Sequence, residues 1–324
     1  MADDGEPVDG SHPAPRAQRL RVAGADGQRI DNYLLRELKG LPRSRVYRML
    51  RSGEVRVNGG RVKPGHRLAD GDEVRVPPLH GLSGTERSSE AFIGQAVLAD
   101  LSRAIVYEDD GLLVLDKPAG MPVHGGSGLS FGAIEGLRRL RPEADLALAH
   151  RLDRDTSGCL LVAKSRAVLL ELHRALRDRE VKKRYRVIVH GAWPRRTATV
   201  QVPLERYVTG SGERRVRVAA AGKASRTDFA VIDRRDRASL LEARLHTGRT
   251  HQIRVHALAA GHAVVGDQKY ASDAQLALAR ELGVHRLCLH AEALVFEYGG
   301  RRRRFEVPVP ADFEAAWAAL ADGH

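Results

Sequence analysis

The polar sequence HRLDRDTSG (residues 150–158) is followed directly by the apolar stretch CLLVA (residues 159–163), and this junction is the most informative part of the chain for both the fold and the candidate site. The residues before it alternate apolar Leu146 and Leu148 with other side chains, which is typical of a β-strand. The stretch after it is short and continuously apolar, which predicts a buried strand. Charged side chains concentrated in a turn between two strands are placed to contact a ligand.

Asp153 and Asp155 are the carboxylates of this turn, and the residue pattern is compatible with two interpretations of them. One carboxylate could act on a bound ligand as a nucleophile or as a base. Alternatively, both could cap the turn by accepting hydrogen bonds from backbone N–H groups. The spacing alone leaves both interpretations open.

A second polar cluster, TGRTHQIRVH, occupies residues 247–256, starts near a turn glycine and is predicted to enter a helix at Thr250. On that helix Thr250 and Arg254 share a face, because they are four residues apart. An arginine near a carboxylate keeps the carboxylate ionised, which a nucleophile or base requires. The alternative interpretation of Arg254 is an ordinary surface arginine.

A third cluster, KKRYR at residues 182–186, opens a predicted strand. Tyr185 within a basic run offers an aromatic face on which a nucleic-acid base can stack, and the cations suit the flanking phosphates. A tyrosine at the start of a strand more often packs in the core or at a sheet edge, so this alternative stays open.

The remaining pattern of residues 99–324 predicts one α+β domain. Most of its predicted strands follow one another without an intervening helix, which favours a mixed, largely antiparallel sheet flanked by helices. Strands are predicted at residues 104–107, 112–115, 158–163, 184–190, 227–232, 239–245, 287–296 and 304–309. Helices are predicted at residues 131–140, 166–179, 250–260 and 311–320.

Residues 19–78 predict a small separate domain with two helices, at 28–38 and from Ser44 as N-cap to Gly53, and three short strands. This segment has 14 Lys and Arg against 7 Asp and Glu, more than half of the chain's net charge of +12. The excess predicts a nucleic-acid-binding surface, and a merely solvated face is the alternative. Residues 79–98 are predicted to be a linker and residues 1–18 a disordered tail.

The composition of the 324 residues narrows the class of protein further. Of 53 cationic residues only 8 are lysine, and the arginine bias suits RNA phosphates and base edges. Cys159 and Cys288 are far apart in apolar surroundings, which excludes a disulfide framework and fits a reducing cytoplasm. Residues 1–18 have neither the basic nor the apolar region of a secretory leader, and no apolar stretch approaches the length of a membrane span.

The sequence lacks the motifs of several familiar cofactor sites. It contains no Gly-Lys-Ser/Thr loop for a nucleoside triphosphate and no well-spaced dinucleotide fingerprint. His246, His251 and His256 recur every five residues, which distributes them around a helix and favours structural or RNA-facing roles over metal ligation. We therefore expect neither a metal nor a cofactor.

Taken in order, the segments resemble the three motifs of the RluA-type family of pseudouridine synthases. The first motif corresponds to HRLDRDTSG with the following LLVAK, the second to KRY, and the third to TGRTHQIRVH with the later pairs GH (261–262) and GD (266–267). The segments QRIDN (28–32), YRMLRSGEVRVN (47–58) and GDEVRVPP (71–78) resemble the αL-type, S4-like RNA-binding domain found in front of many such enzymes. The resemblance extends from about residue 20 to residue 310.

The resemblance implies a cofactor-free isomerisation of uridine in RNA, most similar to family members that act on 23S ribosomal RNA. It makes Asp153 the catalytic aspartate, which either attacks the sugar or abstracts a sugar proton. Tyr185 would stack on the uracil and help remove the proton from carbon 5, and Arg254 would pair with Asp153. Arg151 would fill the gap left by the flipped uridine, and Ile253 would wall the pocket.

The S4-like domain would add grip on RNA that does not depend on sequence, through Arg43, Arg45, Arg48, Arg51 and Lys63. We expect a monomer without membrane association. The same chemistry on a transfer RNA or another ribosomal site is an alternative. A non-catalytic ribosome-assembly factor and a hydrolase that releases uracil are two others, although a hydrolase would ordinarily require a second carboxylate.

Overall fold

The computed structural model describes residues 17–38, 41, 43–78, 93–125, 131–194 and 198–321. The chain forms two compact units, Met1–Glu90 and Ala91–His324. Their boundary falls inside the predicted linker, most of which lies outside the described residues, as do residues 1–16 of the predicted tail. The predicted linker extends too far at its C-terminal end, because a helix already begins at Gln95. The domain limits otherwise stay predictions.

The smaller unit is a four-stranded antiparallel sheet with two helices, close to the sequence prediction. Its sheet has the strand order β1-β4-β2-β3. Its elements are β1 (Gln18–Arg21), α1 (Ile30–Glu37), α2 (Arg43–Ser52), β2 (Arg56–Val57), β3 (Gly60–Arg61) and β4 (Glu73–Val76). Asn58 and Gly59, at φ 48° and 80°, form the predicted tight turn between β2 and β3. Ser44 lies inside α2, so its predicted role as N-cap is wrong.

A buried carboxylate fastens the two helices of the smaller unit together. Asp31, 1% exposed, accepts hydrogen bonds from the Arg29 guanidinium at 2.7 and 3.1 Å and from the Tyr47 hydroxyl of α2 at 2.7 Å. The hydrogen bond from Arg29 holds the pKa of Asp31 at about 2 although burial opposes this. Asp31 is therefore an ionised link between α1 and α2.

The larger unit contains twelve of the strands and six of the helices that the structure describes. Its helices are α3 (Gln95–Arg103), α4 (Ala133–Leu140), α5 (Arg166–Arg177), α6 (Gln252–Ala259), α7 (Asp273–Glu281) and α8 (Ala311–Ala321). Its strands are β5 (Ile105–Glu108), β6 (Leu112–Lys117), β7 (Ala147–Leu148), β8 (Ser157–Ala163), β9 (Lys182–His190), β10 (Ala198–Val200), β11 (Leu204–Val208), β12 (Arg214–Val218), β13 (Thr227–Arg234), β14 (Ala238–Leu245), β15 (Leu289–Tyr298) and β16 (Arg301–Glu306).

Ten of these strands form one mixed, largely antiparallel sheet, as predicted. The order is β10-β13-β14-β9-β15-β8-β6-β5, with β16 paired to β15 and β7 paired to β8. The β15–β8 pair is parallel, and the other pairs are antiparallel. Strand β15, from the end of the chain, thus separates β8 from β9, which carry the first two polar clusters.

Helices cover both faces of this sheet, because the inner strands are apolar on both sides. Leu160, Val187 and Leu241 pack on one face with residues of α3, α4 and α6. On the other face Leu161 packs with residues of α5, and Ile188 with residues of α7 and α8. The sheet is therefore a rigid platform for the loops at its ends.

Some elements were missed by the sequence prediction. Helices α3 and α7 were absent from it, as was the two-stranded hairpin of β11 and β12. Helix α6 begins at Gln252, so Thr250 does not share a helix face with Arg254 and that prediction is wrong. In the part of the chain that the structure describes, none of the helices combines the length and apolar character needed to cross a bilayer.

Candidate active site

The loop that carries Asp153 leads into β8, and strand register brings it next to Tyr185. Gly158 pairs with Ala291 of β15, and Ala291 pairs in turn with Tyr185 of β9. Two strand spacings of about 4.8 Å therefore separate the backbones of the first and second polar clusters. The two clusters, 32 residues apart in sequence, are brought together by the intervening strand β15.

Gly158 makes this close approach possible. Its φ is +109°, and a Cβ atom at this position would lie 2.2 Å from the carbonyl oxygen of Ala291. Side chains neither adopt this backbone conformation readily nor fit in this gap. The glycine that ends the motif is thus required by the parallel contact between β8 and β15.

Three sets of contacts hold the loop of residues 150–156 in position. The buried Lys117 ammonium donates hydrogen bonds to the carbonyl oxygens of Pro118, Met121 and Arg154 at 2.8, 2.8 and 2.9 Å. Leu152 packs in the main core, and His150 Nε2 accepts the N–H of Leu161 at 3.1 Å. Because residues on either side of Asp153 are anchored, its backbone is held in place.

Burial lowers the pKa of His150 in this loop and of Lys117, which contacts it. The pKa of His150 falls to about 4, mainly through burial and secondly through the charge of Lys183, so His150 is neutral and can accept a hydrogen bond. Burial also lowers the pKa of Lys117 to about 7, opposed by the charges of Asp155 and Asp153. The three carbonyl acceptors around Lys117 match the three donors of its ammonium form.

The Asp153 carboxylate is the accessible acid of this site and is flanked by two basic side chains. Its side chain is 20% exposed, and its Oδ2 lies 3.6 Å from Arg254 Nη1 and 3.9 Å from His251 Nε2. Both distances are too long for a hydrogen bond, so the carboxylate oxygens stay open towards the cavity. The arrangement provides a reactive carboxylate next to a positive charge.

The principal partner of Arg254 is Asp267, which sequence reasoning did not assign. Arg254 donates from Nε and Nη2 to the Asp267 carboxylate at 2.7 and 2.5 Å, and both residues are buried. Burial acts to lower the pKa of Arg254, but the hydrogen bonds and charge of Asp267 leave it raised overall. The predicted pairing with Asp153 is thus an ion pair at 3.6 Å, secondary to this bidentate bond.

His251 enters the site through an unusual backbone conformation. It is the N-cap of α6 with φ 53° and ψ 20°, a left-handed conformation that is uncommon in residues other than glycine. Its Nδ1 lies 2.7 Å from the hydroxyl of Tyr270, and its Nε2 faces Asp153. Burial lowers the pKa of His251 although the charge of Asp153 opposes this. A neutral imidazole therefore lies beside the carboxylate at neutral pH.

A cavity of about 380 Å³ collects the predicted site residues. Its lining includes Arg151, Asp153, Tyr185 and Ile253, and the backbone of Arg254 follows directly on α6. Such a volume is in the range of small-molecule sites. The structure therefore brings the side chains from all three polar clusters to one space.

The lining residues differ in exposure in ways that suit different tasks. Tyr185 is 7% exposed, and burial together with the charge of Asp153 raises its pKa, so it keeps its proton at neutral pH. Ile253 is 4% exposed and forms an apolar wall. Arg151 is exposed and forms no ion pair with a described carboxylate, which leaves its guanidinium available to a ligand.

The basic residues predicted to contact RNA lie in the smaller unit. Arg45, Arg48 and Arg51 are on the polar side of α2, opposite its buried Val46, Met49 and Leu50. Arg48, Arg51 and Lys63 are exposed, and within the described residues no carboxylate forms an ion pair with any of them. Arg43 begins α2, and its side chain lies outside the described residues.

Sequence reasoning missed Lys117, Asp267, Tyr270 and the position of His251 in the site. A signal for Asp267 was present, since the Gly-Asp pair at 266–267 is part of the family resemblance. The other contacts are made across long sequence separations. Among the described residues, no cluster of three or more His, Cys, Asp or Glu could hold a metal ion.

Comparison with known proteins now adds to this geometry. Residues 111–259 match the family model described as RNA pseudouridylate synthase, and residues 28–74 match the S4 domain. The ribosomal large subunit pseudouridine synthase C of Yersinia pestis is 50% identical over 312 residues, 95% of this chain and 96% of that protein. The protein of the same description from Escherichia coli K12 is 50% identical over 296 residues, 90% of this chain and 92% of its own.

A solved structure, human RNA pseudouridylate synthase domain containing 4, shares the fold. Its TM-score is 0.58 at 24% sequence identity, and the match covers 69% of this chain and 95% of the other. The chain belongs to the RNA pseudouridylate synthase family. It is therefore an isomerase that acts on RNA, with an S4 domain at its N-terminal end. The relatives of highest identity reported above carry the description of synthase C of the large ribosomal subunit.

Proposed function

We propose that the protein converts uridines of the large-subunit ribosomal RNA, the 23S RNA of bacteria, to pseudouridine. The observation that carries this proposal is the Asp153 carboxylate, open to a base-sized cavity, with Arg254 at 3.6 Å and Tyr185 in the same lining. The names of the relatives support the choice of RNA. The activity would take place in the cytoplasm, where bacterial ribosomal RNA is made and assembled.

In this proposal the isomerisation needs only groups of the chain and the substrate. The bond between nitrogen 1 of uracil and carbon 1′ of ribose breaks, the base turns in the cavity, and a bond forms between carbon 5 and carbon 1′. Nitrogen 1 gains a proton and carbon 5 loses one, so the reaction is balanced without an oxidant. Asp153 serves as nucleophile or base towards the sugar, with Arg254 stabilising its charge.

The other site residues would hold the flipped nucleotide. Tyr185 stacks on the uracil and, as a neutral phenol, can relay the carbon 5 proton. Ile253 closes the apolar side of the cavity, and the mobile cation of Arg151 replaces the uridine in the RNA stack. Flipping costs a few kcal/mol of lost stacking, which contacts of this kind offset. The Arg and Lys side chains of the S4 domain would add binding energy that depends on salt.

The test incubates the purified protein with an unmodified 23S ribosomal RNA transcript and maps pseudouridine by chemical labelling and primer extension. The matched variant is Asp153→Asn, which has nearly the same shape but no charge. We expect pseudouridine at defined positions with the wild type and none with the variant. Failure of the wild type to modify any uridine of this RNA, while it modifies a transfer RNA, would reject the proposed substrate, and release of free uracil would reject the reaction.

A further inference from the structure

A groove rich in cations continues from one side of the active-site cavity. It has a volume of about 750 Å³ and is lined by eight Lys and Arg side chains but only one carboxylate, that of Asp228. We call this space the basic groove. Arg177, Lys183 and Arg249 line both the cavity and the groove, so the two spaces are continuous.

The opposite side of Asp153 is open too, but its charge is different. The groove on that side has a volume of about 950 Å³ and is lined by five Lys and Arg side chains and four carboxylates. A chain of phosphates is attracted by a surface whose charges are mostly positive, and only weakly by a surface with similar numbers of positive and negative charges. The basic groove is therefore the favoured path for a polyanion that leaves the cavity.

Some cations of the basic groove are already neutralised within the protein, and others are not. Arg184, for example, forms ion pairs with three glutamates. Arg179, Lys182, Lys183 and Arg249 form no ion pair with any carboxylate of the described residues. Two of these unpaired cations, Lys183 and Arg249, also line the cavity, and a phosphate ligand would give all four the partners that the fold does not.

Lys183 lies at this junction. It is two residues before Tyr185 on β9, so the two side chains lie on the same face of the strand. Its ammonium is partly buried, and burial lowers its pKa. An ammonium that is withdrawn from water without an anion is unfavourable, and a phosphate at the mouth of the cavity would remove this cost.

We propose that the basic groove binds the sugar-phosphate backbone of the RNA strand that flanks the target uridine, with Lys183 on the phosphate nearest the cavity. This inference rests on the proposed function, since it takes the uridine to occupy the cavity. It assigns the path of that strand to the groove that shares Lys183 and Arg249 with the cavity, and not to the groove lined by Asp155 and Glu213. Arg179, Lys182 and Arg249 extend the binding to neighbouring phosphates.

The first test compares two triple variants of the full chain that lose the same charge. The groove variant carries Arg179→Gln, Lys182→Gln and Arg249→Gln. The control carries Arg166→Gln, Arg237→Gln and Arg301→Gln, which remove three exposed arginines that line neither groove nor the cavity. Affinity for an unmodified RNA oligonucleotide that contains a target uridine is measured between 50 and 200 mM salt, together with the single-turnover rate at saturating RNA.

Each phosphate contact to single-stranded nucleic acid contributes about 0.7 to the slope of log affinity against log salt, so three contacts contribute about 2. Over this fourfold change in salt, the groove variant should therefore lose about 20-fold less affinity than the wild type. We expect the control to keep both the slope and the rate at saturating RNA of the wild type. Equal slopes for the two variants would overturn the proposal.

The second test removes single charges from the RNA instead of from the protein. Two oligonucleotides each carry one uncharged methylphosphonate linkage, either on the 5′ or on the 3′ side of the target uridine. On the side where Lys183 contacts the phosphate, this linkage should weaken binding to the wild type but leave binding to Lys183→Gln unchanged. Additive losses on both sides would reject the contact with Lys183. If the wild type forms no pseudouridine in this oligonucleotide, the proposed function fails. If the wild type is active but the linkage weakens binding to the wild type and to Lys183→Gln equally, only the proposal for the basic groove fails.

Discussion

Two aspartates contact Arg254, and the structure predicts that their removal has opposite consequences. Asp267 is fully buried and holds the guanidinium by two hydrogen bonds, while Asp153 is 20% exposed and lies 3.6 Å away without a hydrogen bond. We therefore expect Asp267→Asn to damage the fold and Asp153→Asn to damage the chemistry. The substitution by Asn isolates the charge, because its oxygen can still accept the backbone N–H groups of Lys269 and Tyr270.

The expected magnitude follows from the cost of a buried charge without its partner. Removing one partner of a buried ion pair costs about 3–5 kcal/mol, and we expect about 3 kcal/mol for Asp267→Asn because Asp153 offers partial compensation. The partly exposed Asp153 contributes about 1 kcal/mol or less. In the double variant Asp267→Asn with Arg254→Met no unpaired charge remains, and the stability should return to within about 1 kcal/mol of the wild type.

Urea unfolding followed by tryptophan fluorescence measures these free energies, since Trp193 lies in the main core. Single-turnover pseudouridine formation measures the chemistry. Asp267 does not line the cavity, so Asp267→Asn should leave RNA affinity unchanged and lower the rate about 100-fold by displacing Arg254. Wild-type stability of Asp267→Asn would refute the anchoring role, and a wild-type rate in a destabilised variant would refute the link between Asp267 and catalysis.

Three further substitutions test the supports of the site and of the S4 domain. Gly158→Ala should destabilise the protein by about 3 kcal/mol or more, because φ is +109° and the new Cβ would meet a carbonyl oxygen at 2.2 Å; Gly212→Ala, at φ +83° in open space, is the control and should cost about 1 kcal/mol. Lys117→Met should cost about 2–4 kcal/mol in urea unfolding and lower the rate, since three carbonyl oxygens lose their hydrogen-bond donor beside Asp153; an unchanged rate would contradict the positioning role. Asp31 has a folded pKa of about 2, below its unfolded value near 4, so its stabilisation of about 2 kcal/mol is present at pH 7 and is lost as the pH falls towards 2. Hydrogen exchange of α1 in Asp31→Asn should therefore be faster than in the wild type at pH 7 and similar to it near pH 2, and a difference independent of pH would contradict this.

Local sequence signals were sufficient for most elements. Short runs rich in apolar residues predicted β6, β9 and β14, and turn residues such as Asn58 and Gly59 predicted the hairpin of the smaller unit. These features depend on neighbours a few residues away, which a sequence displays directly. Helices α3 and α7 were missed, and α3 was missed although Val97, Leu98 and Leu101 have helical spacing, because residues up to 98 were assigned to the linker.

The candidate site was only partly predictable for the same reason. The family motifs indicated Asp153, Tyr185 and Arg254, and the structure places Asp153 and Tyr185 in the lining of one cavity with Arg254 3.6 Å from Asp153. The bidentate bond between Arg254 and Asp267 and the contact of His251 with Tyr270 depend on how α6 lies against the following loop. No periodicity encodes such contacts.

The sequence by itself determined the two units, the polar loop before β8, the basic helix of the S4 domain and the chemistry of the family motifs. Only the tertiary structure decided that β15, more than a hundred residues after Asp153, inserts between β8 and β9 and sets the spacing of the site. It also decided that Lys117 contacts the loop that carries Asp153 and that Lys183 lines both the cavity and the basic groove. Local patterns specify strands and helices, whereas strand order and buried ion pairs follow from packing and desolvation over the whole domain.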